Sequence, residues 1–586
     1  MRRSPLSRTL APIAILGSVG LLTSGALAAP PGLPEPGPLP TPTSESSWDI
    51  PGWVVVDGVD SLSETEVEGL GAELGVKMIP TAMADETRVE IAEVAPSMVE
   101  RLIARLRGDA RVQHAEPLAW VQAFYVPNDP LLDKQWHMDR IGMKSAWDFS
   151  TGRGAIVAVV DTGIACEDHG PFRKGTDLNT TGCVGGWNFV ANNTHANDDQ
   201  GHGTHVAGTI AQSTNNGVGA SGVAFDAQLM PVKVLNGRGS GTTADVADGI
   251  RWAGEHGADV INLSLGGPRN AQILVDAVAS ARSNGALVVA AVGNSGGAVG
   301  FPGGTEGVIG VSATGPDDKL ANFSSRGKEV DIAAPGVDVI QQTICNGGVG
   351  GCERFPGFSG TSMASPHVAG AAALLVSEGV TNLDALEEIL RASARVVDDS
   401  DSGKKLYGSG ILDAQSATFA VWAKQVMVRF GALGAVIALV VASARKGAKN
   451  PKSVSPLHPG FLLTALAAGP GLLFFLPLVV SRAALPIDLL SRPFGDWSIF
   501  AGTALHNWLP LANAGLPLAL TALLFHKKAL RPLVGGFSAG TAAYLAAVPI
   551  LGQVAGPMGS GVLAVWCIAN AVICAMVART NLAATA

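Results

Sequence analysis

The run GAIVAVVDTG, residues 154–163, decides the fold. From Gly154 to Val160 it carries no charge, and it ends on Asp161. A short apolar run rich in β-branched residues predicts a strand buried on both faces. Three more such runs follow: QLMPVKVL at 228–235, ADVINLSL at 258–265 and ALVVAAV at 286–292. Between them, 243–256 and 271–284 have helical patterns, and Gly285 is placed to end the second helix. Strands alternating with helices predict an α/β domain whose parallel sheet is covered on both faces. Reactive groups in such sheets gather at the carboxyl ends of strands, which is where Asp161 stands.

Two segments further along supply partners for that carboxylate. HGTHVAGT at 202–209 begins a helical stretch with His202, and GTSMASPHVAG at 360–370 begins another with Ser362. Taken singly, each is an ordinary capping or turn residue. Together they provide an acid, a base and a hydroxyl. A serine hydroxyl is a weak nucleophile until a neighbouring base takes its proton. His202 can be that base, and Asp161 can hold the imidazole in one tautomer and stabilise its cation. A helix start at Ser362 favours developing negative charge. Asn294, in VVAAVGNSG at 288–296, follows a strand and can aim its amide at an oxyanion, with the Ser362 N–H as second donor.

These blocks, DTG, HGTHVAG, AAVGN and GTSMASPHVAG, resemble the signature blocks of the subtilisin-like serine proteases over about residues 127–415. The resemblance implies a subtilisin-like domain with Asp161, His202 and Ser362 as the triad and Asn294 as the oxyanion residue. It also implies that SLGG, Ser264–Gly267, is a wall strand on which substrate backbone adds as a further strand, with Ser264, Leu265 and Gly266 as contacts. Ser295 is neutral, so an apolar or aromatic residue before the scissile bond is expected. PNDP at 127–130 and STNNGVGASG at 213–222 resemble the strong calcium site of the family, which maps Asp129 and Asn216, with Asp177 a further candidate, as ligands for structural calcium. No organic cofactor is implied. Residues 48–125 are similar to the inhibitor-type propeptides of the family. The chain's own propeptide is therefore an expected intramolecular inhibitor, cleaved near 122–127.

The rest of the chain sets the context. At 586 residues, about four units are expected. A charged share of 15% excludes a disordered or nucleic-acid-coating protein, so no nucleic acid is an expected partner. From Val421 onward there are 12 Lys/Arg and 2 Asp/Glu, a net +10, which leaves −19 for residues 1–420. That asymmetry predicts an aqueous part followed by a membrane part. Arg2, Arg3 and Arg8, an apolar run from Leu10 to Leu22, and Ala26-Leu27-Ala28 form a secretory signal pattern over 1–28. Residues 29–47 read as a Pro-rich linker.

Residues 48–126 read as a small α+β, ferredoxin-like unit. Its elements are a strand at Trp53–Val56, a helix at Ser63–Leu74 with Ser63 and Glu66 as capping box, a strand at Arg88–Val94, an amphipathic helix at Ser97–Leu106 and a strand at Trp120–Phe124. The peptidase domain is expected over 127–420.

In 421–586, apolar runs at about 421–444, 460–481, 498–525, 533–552 and 558–578 predict an all-α domain of about five transmembrane helices in contact with membrane lipid. Lys and Arg cluster in the loops after the first and third runs. This places the protease outside and the C-terminus in the cytoplasm. Of six cysteines, local spacing favours Cys166–Cys183 and Cys345–Cys352, while Cys567 and Cys574 read as packing residues. GFSAG at 536–540 lies in a membrane run and reads as packing, not as a nucleophile elbow; His506 and Asn507 are polar at membrane depth.

The expected function is a membrane-anchored serine endopeptidase, made as a self-inhibited zymogen and acting on polypeptide substrates. The rival readings are a transporter or secretion component whose protease matures cargo, and a scaffold with a vestigial protease fold.

Overall fold

In a computed structural model, the structure describes residues 49–59, 61–81, 83–119, 127–447, 456–478, 480–483, 485–501, 513–553 and 560–583. The signal pattern, the linker, the expected strand at Trp120–Phe124, the expected cleavage site, and His506 with Asn507 lie outside these residues. The chain divides into two compact units, Met1–Gln122 and Ala123–Ala586.

The first unit is a four-stranded antiparallel sheet, β1 (Asp49–Gly58), β2 (Met78–Pro80), β3 (Val89–Glu93) and β4 (Val112–Ala119), in the order β2-β3-β1-β4. The helices Glu64–Leu74 and Val99–Leu106 accompany it. Glu66 accepts hydrogen bonds from the Ser63 N–H and hydroxyl at 2.8 and 2.7 Å, as the capping box anticipates. Val54, Val56, Leu70, Ala92, Leu102, Ile103, Leu106 and Ala115 form its core. Among the described residues its last strand is β4, eight residues nearer the N-terminus than the run at Trp120.

The second unit is built on a seven-stranded parallel sheet. Its strands are β5 (Ile156–Asp161), β6 (Trp187–Asn188), β7 (Gln228–Lys233), β8 (Val260–Leu263), β9 (Leu287–Ala291), β10 (Val308–Thr314) and β11 (Ile332–Pro335). They lie in the order β11-β10-β9-β8-β5-β7-β6. The four runs read as buried strands are β5, β7, β8 and β9, and every residue of β8, β9 and β10 is buried. The order reverses at β5, whose neighbours are β8 on one side and β7 on the other. A crevice opens at such a reversal, at the carboxyl ends of the strands. Asp161 ends β5, and Ser264 directly follows β8.

Helices Thr243–Glu255 and Gln272–Ser283 pack one face of the sheet, around Val246, Ile250, Leu274 and Val278. The other face is covered by Thr361–Ser377 and His202–Ala211. In Thr361–Ser377 every residue but Ser362 is buried. A helix apolar on all sides belongs in the middle of a large core. The disulfides are Cys166–Cys183 and Cys345–Cys352; Cys567 and Cys574 are free and buried.

Beyond Ala414 the described chain is helical: Ala414–Gly447, Pro459–Ala468, Gly515–Leu524, Arg531–Ile550 and Ser560–Ala583. Among the described residues, three helices, Ala414–Lys446, Lys528–Ile550 and Gly561–Ala583, are long and apolar enough to cross a membrane. Five were expected. The second apolar run stops at Ala468, where Gly469, Pro470 and Gly471 break the helix. The third enters on the 3-10 helix Phe494–Ala501 and ends in the α-helix Gly515–Leu524, and residues 502–512 between them lie outside the described set. Ser538 of GFSAG is buried and donates to the Val534 carbonyl at 2.7 Å inside its helix.

Candidate active site

Asp161 and His202 are brought together by two glycines. Gly163, just past β5, has φ +101°, which an L side chain rarely adopts. Gly203, the second residue of the His202 helix, packs so closely on the Gly163 carbonyl that a Cβ would not fit. The strand end and the helix start therefore touch, and His202 Nδ1 lies 2.8 Å from Asp161 Oδ1. Asp161 is fully buried, and the Thr162 N–H also donates to its Oδ1 at 2.7 Å. A neutral His202 donating from Nδ1 keeps a lone pair on Nε2, the form a general base requires.

Asp198, which sequence reasoning passed over, organises this pair from behind. Its Oδ1 accepts from Thr162 Oγ1, Gln200 N–H and Gly201 N–H, all at 2.9 Å. Its Oδ2 accepts from the Thr204 N–H at 2.9 Å and Thr204 Oγ1 at 2.7 Å. Five donors on one carboxylate define an acceptor-only, ionised group, although burial pushes its carboxyl upward. The available signal was NDDQGHGTH itself: an acid four residues before the histidine, reaching the free N–H groups of the helix it precedes. Burial works to lower the His202 pKa, but the charge of Asp161, its hydrogen bond and the charge of Asp198 outweigh it. The imidazole is held above its ordinary value.

Ser362 stands in the first turn of Thr361–Ser377, at the sheet's crevice. Its hydroxyl donates to the Ser264 carbonyl at 3.0 Å, and that proton must leave this acceptor for an imidazole before any attack. Catalytic contacts are commonly loose before substrate binds. The same helix contains Pro366, which has no N–H to give the carbonyl four residues earlier. That carbonyl belongs to Ser362, and the Ser264 hydroxyl replaces the missing donor at 2.7 Å. Asn262 Nδ2 donates to Ser264 Oγ at 3.0 Å, and Asn262 Oδ1 accepts from Ser365 Oγ at 2.7 Å. The end of β8 is thus fastened to the serine helix at three points.

Asn294 Oδ1 accepts from the Thr361 N–H at 2.8 Å and the Thr361 hydroxyl at 2.9 Å. This fixes the amide so that Nδ2 turns toward Gly360, where a Cβ would lie 3.3 Å from it and 3.6 Å from the Ser362 nitrogen. Two N–H donors therefore border one small space, which suits an oxyanion.

A cleft of about 570 Å³ runs from His202 and Ser264 past Leu265, Gly266 and Gly267 to Arg269, faced by Leu235 and Arg238–Thr243. Gly267 pairs with Phe301 through two backbone hydrogen bonds of 2.8 Å. Ser295 bonds Ser325 at 3.1 Å and is not among the residues lining this cleft. His205 is buried, bonded to the Pro356 carbonyl at 3.2 Å and stacked on Phe358. That is a packing role.

Asp129, Asp177 and Asn216 also come together. Asp129 and Asp177 are buried. Asp129 accepts from the N–H groups of Asn215 and Asn216 and from Ser221 Oγ. Asp177 accepts from Asn216 Nδ2 and the Ala220 N–H, at 2.8 and 2.9 Å. Burial pushes the Asp177 carboxyl up to about 7, and the Asp129 charge adds to the rise. Among the described residues no basic side chain pairs with either acid, and no group of three His, Cys, Asp or Glu is arranged for a metal. Two buried carboxylates without a basic partner among the described residues are oxygen donors of the kind a hard cation takes, while the Asn216 amide presents its NH2 to Asp177.

Residues 152–410 match the model of the subtilase family. The chain is 36% identical over 350 residues to a thermophilic serine proteinase of Bacillus sp. (strain AK1), covering 59% of this chain and 83% of that protein. It is 42% identical over 285 residues to subtilisin Savinase of Lederbergia lenta, covering 48% of this chain and 98% of that one. It is 41% identical over 257 residues to thermitase of Thermoactinomyces vulgaris, covering 44% and 87% respectively. With the α/β fold and these relatives in hand, the chain belongs to the subtilase family and is a subtilisin-like serine endopeptidase.

Proposed function

We propose that this protein is a membrane-anchored endopeptidase that cleaves polypeptides on the extracytoplasmic side through Asp161, His202 and Ser362. The observation that carries the reading is the 2.8 Å contact between His202 Nδ1 and Asp161 Oδ1, beside a helix with Ser362 in its first turn. His202 Nε2 takes the Ser362 proton as Oγ bonds to the scissile carbonyl carbon. The oxyanion accepts hydrogen bonds from Asn294 Nδ2 and the Ser362 N–H. The imidazolium returns its proton to the leaving amine, and an acyl-enzyme remains. Water, deprotonated by His202, then releases the acid and restores Ser362. Each oxyanion donor is worth about 10²–10³ in rate. Ser264, Leu265 and Gly266 offer backbone to an extended substrate.

The signal pattern supports export. The fold of 49–119 supports a propeptide that assists folding and blocks the cleft until cleaved. Residues 127–420 are the peptidase and 421–586 the membrane domain. Its long apolar helices and the Lys/Arg clusters support a multi-pass anchor with the C-terminus in the cytoplasm. Calcium would be held by Asp129, Asp177 and Asn216, where its charge would balance two buried acids and tie three segments of chain together.

The test is Ser362→Ala in the full chain. Loss of both propeptide processing and casein hydrolysis is expected. Unchanged hydrolysis overturns the assignment.

A further inference from the structure

We propose that this protease selects substrates carrying an acidic side chain about three to five residues from the scissile bond, on the side that lies along Ser264–Gly267. This rests on the endopeptidase reading above and names its substrate class. Twenty residues line the cleft, and none is Asp or Glu, whereas two are arginines. Arg238 lines it from the segment 235–243 and Arg269 from the segment 264–269, and both are exposed. Neither guanidinium has an ion-pair or hydrogen-bond partner among the described residues. The acids nearest the rim are engaged. Asp199, beside Gly237, is paired with Lys233 at 2.7 Å, and Asp245 accepts the Thr242 hydroxyl at 2.7 Å. Across residues 1–420 the net charge is −19, so two unpaired cations lining the binding cleft reverse the local sign.

The position follows from the chain. Ser264 is bonded to Ser362 and marks the reacting end of the cleft. Arg269 comes five residues later, beyond Gly267 and Pro268. A substrate strand paired with Ser264–Gly267 advances about 3.3 Å per residue. Its side chains reach the arginines some four residues from the bond being cut. Leu235, Val246, Leu265, Leu274 and Phe301 line the space between and accept apolar neighbours. Arg guanidinium groups from two lining segments suit a carboxylate, which accepts from both at once.

The experiment uses the processed full chain and internally quenched peptides that differ only in Asp, Asn or Lys at successive positions on both sides of one scissile bond. Wild type should cleave the Asp peptide about three- to tenfold better than the Asn peptide, in kcat/KM, at one position on the predicted side, and Lys should be worst. The advantage should fall as salt rises from 0.05 to about 0.5 M. In an R238E/R269E double variant the Asp-to-Asn ratio should collapse or invert, with Lys gaining. The ratio is taken within each protein, so any partial loss of folded enzyme cancels. Asp no better than Asn in wild type, or a ratio unchanged in the double variant, overturns the inference and leaves the endopeptidase reading intact. Failure of wild type to cleave any peptide, neutral ones included, overturns the endopeptidase reading itself.

Discussion

Ser264 shows how one hydroxyl can serve both structure and chemistry. Pro366 denies the Ser362 carbonyl its helical partner, and Ser264 Oγ supplies a substitute. Removing that hydroxyl leaves the Ser362 carbonyl unpaired, at a cost of about 1–3 kcal/mol. Ser264→Ala should lower the thermal inactivation midpoint by several degrees. The cost should shrink in a Pro366→Ala background, where an N–H is available again, and a double-mutant cycle with no coupling would refute the compensation. Asp198 yields a second prediction. Negative charge at Asp161 and Asp198 holds His202 above its ordinary value against burial. The neutral base exists only above that pKa, so kcat/KM should rise with pH through a midpoint above about 6.5. Asp198→Asn removes one of the charges that favour the imidazolium, and the midpoint should move to lower pH. A pH–rate profile that stays put would show that Asp198 acts only by fixing the helix start. Asp161, His202, Ser362 and Asn294, the proposed triad and oxyanion residue, stand out in the sequence because each sits in a short block with a chemical reason for its residue types. Asp198 does not, because an acid near a helix start is common and its five donors come from four residues that only the folded loop brings together.

The helix Thr361–Ser377 joins the site to the rest of the molecule. Its start faces the crevice, and its end is gripped by the C-terminal region. Arg492 donates to the Ser377 carbonyl at 2.6 Å and pairs with Asp488 at 2.6 Å. Asp488 also meets Arg153, which pairs with Asp226 at 2.6 Å. Gln425 donates to the Glu378 carbonyl at 2.6 Å. The segment 482–497 was readable as a charged loop between apolar runs. That Arg482, Asp488 and Arg492 are buried against the protease and Asp496 against Arg429 and Tyr544 was not readable, since alternating signs in a loop normally mark a solvated stretch. β6, β10 and β11 were likewise missed: β6 has two residues, and the other two lack a long apolar run. Glu378, at the end of this helix, is buried, and both its carboxylate oxygens lack a hydrogen-bond partner among the described residues. Burial pushes its carboxyl up to about 8, against Arg482, Arg492 and Arg429, which lower it. A folded pKa above the unfolded value gives stability that is complete below about 4.5 and lost as pH rises through about 8. Glu378→Gln, which cannot ionise, should match wild type near pH 5 and exceed it in thermal midpoint near pH 9. Equal midpoints at both pH values would contradict this.

At the scale of the whole molecule, charge and hydropathy were the most readable features. An acidic first part and a basic, apolar second part foretold the division between protease and helices. Helix ends were less readable than the apolar runs, because a count of apolar residues does not register that Gly469, Pro470 and Gly471 end a helix after ten residues. The buried pair Asp129 and Asp177 gives a prediction at this scale. Chelation with EGTA should lower the thermal midpoint of the wild-type protein, and added calcium should restore it. Asp129→Asn should blunt the response, and a midpoint indifferent to chelation would discard the site. The central claim is that Ser362 is an activated nucleophile. It is tested most directly by treating the full chain with a fluorophosphonate and mapping the adduct by mass spectrometry. A single adduct on Ser362, absent after Ser362→Ala and strongly slowed by His202→Ala, is the predicted result. An unlabelled protein, or labelling that survives Ser362→Ala, would contradict it.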